Sequence, residues 1–106
     1  MNFKSFVVLS VFGLSLLSAK SYEIVLDNAS RAGNLELKPG HYALSLENSK
    51  VRFTDTNNGK SLETDAKVVN VDKKFENTLM DTKQVNGATQ INEIDLGGTK
   101  TKIEFH

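Results

Sequence analysis

Two pairs of carboxylates stand two residues apart in this chain: Glu93 with Asp95, and Glu63 with Asp65. On a strand, such residues share a face with Cα atoms roughly 6.5–7 Å apart. Glycosidases work with two carboxyl groups about 5–10 Å apart, one of them buried enough to keep its proton. Here Ile94 and Leu96 alternate with Glu93 and Asp95. That alternation puts the carboxylates on the wet face of the strand, where nothing raises a pKa. The Glu63–Asp65 pair meets the same objection.

The other candidate groups each have a plain structural explanation. His41 and His106 are the only imidazoles. A zinc site needs three or four converging ligands, so two His would serve only if the fold joined the first and last strands. A Ser-His-Asp triad would need one of them, and no Gly-x-Ser-x-Gly element is present. Gly59-Lys60-Ser61 matches the end of a phosphate loop, but the Gly required five residues earlier is Thr54. Asp55-Thr56-Asn57-Asn58-Gly59 faintly resembles a calcium loop, but Gly59 stands fifth instead of sixth and the twelfth residue is Ala66. Both stretches read as a hairpin tip built on Asx turns. Gly97-Gly98-Thr99-Lys100 could offer a nest of N–H groups to an anion, or simply turn the chain. Asn28-Ala29-Ser30 is a glycosylation sequon in a eukaryotic secretory route and a turn elsewhere. No cofactor and no metal are expected.

Composition narrows the field further. The 106 residues hold 13 Lys+Arg, 13 Asp+Glu and no Cys. The length fits one domain. Missing Cys excludes disulfide scaffolds, thiol enzymes and Cys-anchored lipoproteins. Balanced charge argues against nucleic-acid binding; Lys73-Lys74 and Lys100/Lys102 are only local basic spots, and Phe53, flanked by Lys50 and Arg52, points to the opposite face from them.

Residues 1–21 differ from the rest. Lys4 precedes an apolar stretch from Phe6 to Leu17, and small and polar residues follow. This is the pattern of a secretory signal peptide, with cleavage after Ala19 or Ser21. The uncharged run, Ser5 to Ala19, is shorter than the ~17–25 residues of a membrane span, so a retained anchor is the alternative and no stable span is expected after cleavage. Losing the first 19 residues and their one Lys leaves 87, with 12 basic and 13 acidic groups. The expected destination is the periplasm or the outside of the cell.

The mature part, 22–106, is predicted to be a single β domain. Turn signals recur at short intervals: Pro39-Gly40, Asn48-Ser49, Asn58-Gly59, Asp72-Lys73, Asn86-Gly87 and Gly97-Gly98. Between them apolar residues alternate, as in Tyr22/Ile24/Leu26, Tyr42/Leu44/Leu46 and Ile103/Phe105. Regular short strands of this kind predict a small antiparallel β-sandwich or partly closed barrel of about 7–8 strands. Val68, Val69 and Val71 predict one β-bulge, and Ile91, Ile94 and Leu96 another. Phe75 and Leu79, four apart, would allow one helical turn within 72–80. The expected core is Tyr22, Ile24, Leu26, Leu35, Leu37, Tyr42, Leu44, Leu46, Val51, Phe53, Leu62, Val68, Ile94, Leu96, Ile103 and Phe105.

Three stretches carry a resemblance: Ser21-Tyr22-Glu23-Ile24-Val25-Leu26, Leu37-Lys38-Pro39-Gly40-His41-Tyr42, and Ile94 through Phe105. Across them the mature chain resembles a group of small exported β-proteins known as hypothetical proteins of acidobacterial genomes. The resemblance implies an exported β-domain and carries over no site residues. The Leu-x-x-Gly-x-Tyr piece is also similar to a strand–turn–strand element of many bacterial sandwich modules.

The function expected from all this is a non-catalytic binding or structural module for a protein or glycan. The outward residues Lys100, Lys102 and Glu104 of the last strand are its candidate interaction surface. Free strand edges could also pair copies of the chain into a homo-oligomer. An apolar-ligand carrier is the first alternative and a carboxylate-dependent hydrolase the second.

Overall fold

A computed structural model describes residues 21–105. The expected leader, save Ser21, and His106 lie outside the described residues. Those residues form ten strands and no helix.

The first sheet joins β1 (Tyr22–Leu26), β4 (Gly40–Glu47), β5 (Lys50–Asp55) and β6 (Ser61–Asp65) in the order β1-β4-β5-β6, all antiparallel. The second orders β3 (Leu35–Leu37), β2 (Ser30–Ala32), β9 (Ala88–Asp95), β10 (Thr101–Glu104) and β7 (Lys67–Asn70), with β8 (Leu79–Val85) on the other side of β9. The chain crosses between the sheets after β1, after β3 and after β6, the last time at Ala66, whose N–H donates to the Ser49 carbonyl at 3.0 Å.

The alternating apolar residues of both sheets meet in one cluster. Ile24, Leu26, Tyr42, Leu44, Val51 and Phe53 come from the first sheet; Ala32, Leu37, Ile91, Ile94 and Ile103 come from the second, with Leu96 and Phe105 beside them. Phe53 is central, with its ring 6.4 Å from that of Tyr42, edge-on, and 6.1 Å from that of Phe105. Burying each large side chain contributes about 1.5–3 kcal/mol. The Pro39-Gly40 turn is fixed by Tyr42, whose hydroxyl donates to the Lys38 carbonyl at 2.7 Å. This is the corner by which a buried Tyr ties its strand to the backbone just upstream.

Several expectations need correction. Ten strands replace seven or eight, because β2 and β3 are only three residues long and β8 shows little apolar alternation. The pairing is not wholly antiparallel: β2 runs parallel to β9, with Ser30 opposite Thr89. Leu62 is 47% exposed, because β6 is the rim of its sheet and nothing covers Leu62 there. Val68 is half-buried on β7, the rim of the other. The bulge expected near Val69 is absent: β7 pairs regularly with β10 up to Asn70. The expected helical turn is an irregular segment, pinned by Phe75, whose N–H donates to Thr99 and whose carbonyl accepts from Gly98. The second expected bulge is present. Asp81 faces Glu93 and the next residue, Thr82, faces Ile91, so Asn92 is the extra residue. It shifts the phase of β9, and both Ile91 and Ile94 point inward.

Candidate functional site

The outer face of the second sheet follows from these registers. Ile94, Ile103 and Met80 point to the core, so their neighbours point away. One outward row runs Leu79, Asp95, Lys102, Val69 across β8, β9, β10 and β7. The next runs Asp81, Glu93, Glu104, Lys67. Three carboxyl groups, of Asp95, Glu93 and Glu104, thus adjoin Lys102, and Asp81 stands beyond Glu93 on β8.

Lys102 Nζ lies 3.3 Å from Glu93 Oε1 and 3.5 Å from Glu104 Oε2. These side chains are only 24–30% exposed. The hydrogen bond to Glu93 is the largest cause that holds the Lys102 ammonium above its usual range, and the Glu93 and Glu104 charges add to it. Asp95 differs. Its Oδ1 is buried and accepts no hydrogen bond. Burial pushes the Asp95 carboxyl up from 3.8, the adjacent Glu93 pushes it further, and Lys102 opposes both. The expectation that this strand face is wet therefore fails for Asp95. β9 is flanked on both sides, and long neighbours on β8 and β10 screen it from water.

Of the three residues expected to form an interaction surface, Lys102 and Glu104 share this face. Lys100 lies in the turn before β10, exposed, with its carbonyl accepting from the Val71 N–H at 2.8 Å.

The remaining candidates are held by local structure. Asp55 Oδ1 accepts from the Asn57 N–H and Asn58 Oδ1 from the Lys60 N–H, both at 2.8 Å. Those two Asx turns close the β5–β6 loop around Gly59, at φ +77°. The glycine pair at 97–98 has its N–H groups engaged by Thr78 Oγ1 at 2.9 Å and the Phe75 carbonyl at 2.7 Å. Glu63 and Asp65 are paired across the strand with Arg52 and Lys50. His41 is exposed on β4. Among the described residues no three His, Asp or Glu side chains converge as metal ligands would. None of their elements is a helix long and apolar enough to cross a membrane.

No family model, curated protein or solved structure matches the chain. What the chain does must be argued from its own surface.

Strand β8, with Asp81 and Lys83, and the buried Oδ1 of Asp95 are not marked by the alternation of the sequence. A signal for β8 was present. Asn86 and Gly87 both have positive φ, 54° and 82°, as a two-residue hairpin turn requires. A long strand after such a turn demands an equally long partner before it, whatever its composition.

Proposed function

We propose that the chain is an exported, non-catalytic binding module, its two sheets forming a small β-sandwich, and that it docks a protein partner on the outer face around Lys102. The observation that carries this reading is Asp95 Oδ1, an acceptor without a donor inside a half-buried layer where Asp95, Glu93 and Glu104 share the one ammonium of Lys102. Buried acceptors of this kind cost about 1–3 kcal/mol unless satisfied. A Lys or Arg of a partner, seated over this layer, would balance its surplus negative charge. The pattern of the first 21 residues and the resemblance to small exported β-proteins support export.

The test is a pull-down from the envelope and secreted fractions of the source, comparing wild type with the double variant Glu93→Gln, Asp95→Asn. A stoichiometric protein held by wild type and lost by the variant is the expected result. A partner held equally by both would place docking elsewhere. A glycan, or no partner, would overturn the reading.

An apolar-ligand carrier has one observation in its favour: an open groove of about 220 Å³ with Tyr42, Phe53 and Leu62 in its wall. That is smaller than the ~300–1,000 Å³ of ligand pockets. Saturable binding of a fluorescent lipid probe would raise this reading above the first.

A further inference from the structure

Among the described residues, strand β8 pairs with β9 along one side only. Its other edge has no partner strand among the described residues and offers seven residues of backbone, with no proline and no bulge, since the extra residue, Asn92, sits on β9. Exposed edges of this length are templates for another strand, and proteins usually blunt them.

The outward side chains of β8 have an order that suits one occupant. Met80 packs on the core, so Leu79, Asp81, Lys83 and Val85 point to the other face. Leu79 is 60% and Val85 38% exposed; they are two of the four large apolar side chains exposed among the described residues. Asp81 and Lys83 have no ion-pair partner among those residues. The sequence of this face, apolar–acidic–basic–apolar, becomes its own complement when read backwards about Thr82.

We propose that β8 pairs antiparallel with β8 of a second copy, about a two-fold axis through Thr82 and perpendicular to the sheet. Leu79 then faces Val85 of the other copy, and Asp81 faces its Lys83, each contact occurring twice as an isologous interface requires. Opposite charges and paired apolar residues are the favourable cross-strand combinations. The register is specific. Faces are preserved only by shifts that move the axis by whole residues. Centring on Asp81 sets like charges opposite each other, and centring on Lys83 does the same. The pairing would join the second sheets of two molecules into one and continue the outer face across the axis. It stands on β8 alone, whether or not that face recruits a further protein.

The test expresses the full sequence, purifies the protein as the host processes it, and measures sedimentation equilibrium up to about 1 mM, so that even a millimolar dimer is detected. The wild type is expected to form a dimer. Asp81→Lys or Lys83→Asp alone should weaken it about tenfold, since each turns two attractive pairs repulsive. The double exchange Asp81→Lys, Lys83→Asp should restore the wild-type constant to within about threefold. All four residues are exposed, so circular dichroism should show the same fold throughout. A monomer at the highest concentration would overturn the proposal. So would single reversals with no effect, or a double exchange no tighter than the singles, because association through any other surface is blind to this swap.

Discussion

Glu63 with Asp65 and Glu93 with Asp95 are the same pattern in the sequence and opposite situations in the structure. The first pair lies on β6, the rim of its sheet. Each member has its own cation across the strand: Arg52 reaches Glu63 at 2.6 Å and Lys50 reaches Asp65 at 3.2 Å. All four side chains are 41–85% exposed. The second pair lies on β9, flanked on both sides, and shares Lys102 with Glu104. Exposed one-to-one pairs are surface decoration worth about 0–1 kcal/mol. A half-buried layer with more carboxyls than cations costs stability, so the fold alone does not account for it. The lesson is that spacing sets which side chains share a face, and strand order sets how wet that face is.

The largest effect should come from removing what shields Asp95. Gly97 packs so closely that an added Cβ would lie 2.7 Å from the Thr78 nitrogen and 2.8 Å from the Asn77 carbonyl carbon. These residues lead into Leu79, the register partner of Asp95. Gly97→Ala should lower stability by about 1–3 kcal/mol in chemical denaturation. It should also move the Asp95 midpoint back toward 3.8. A loss of stability with no change at Asp95 would separate packing from shielding.

Lys102→Met comes next. It keeps the aliphatic stem and strips the layer of its central cation. Thermal unfolding at neutral pH should fall further than for Arg52→Met, whose exposed pair is worth about 0–1 kcal/mol. Folding raises the Lys102 value above 10.5. Its contribution is therefore complete below that value and lost as pH climbs through the raised one, so the deficit of the variant should close at alkaline pH.

Asp95→Asn is smaller and opposite in sign. The folded state holds the Asp95 proton to higher pH than the unfolded chain does. Its contribution to stability is greatest in acid and declines as pH rises from about 3.9 through the raised value. At neutral pH the variant should melt above wild type, and the gain should vanish as pH falls toward about 4. Asp65→Asn should show no such gain. Smallest of all, Glu63→Gln should change stability by less than about 1 kcal/mol.

Most of the fold was legible because alternation reports burial directly. Ile24, Leu44, Phe53, Ile94 and Ile103 all sit in the core as their spacing required. The bulge at Asn92 was legible too, since only an inserted residue lets Ile91 and Ile94 face one way. What escaped was set by pairing beyond the local chain. Leu62 and Val68 obey the pattern but lie on rim strands. Leu79 to Val85 shows little pattern because an edge strand buries little. The candidate site was legible as residues on one face, Lys102 and Glu104, but not as a cluster. The cluster exists because β8, β9 and β10 lie side by side, and no spacing within one strand records that.

The most direct measurement is a carboxyl-carbon NMR titration that follows Asp95 in the folded wild-type protein. Burial and the neighbouring Glu93 require a midpoint above 3.8. A midpoint at or below that value would mean that the outer face of the second sheet is as wet and as well paired as that of the first, and would contradict the docking surface proposed for it.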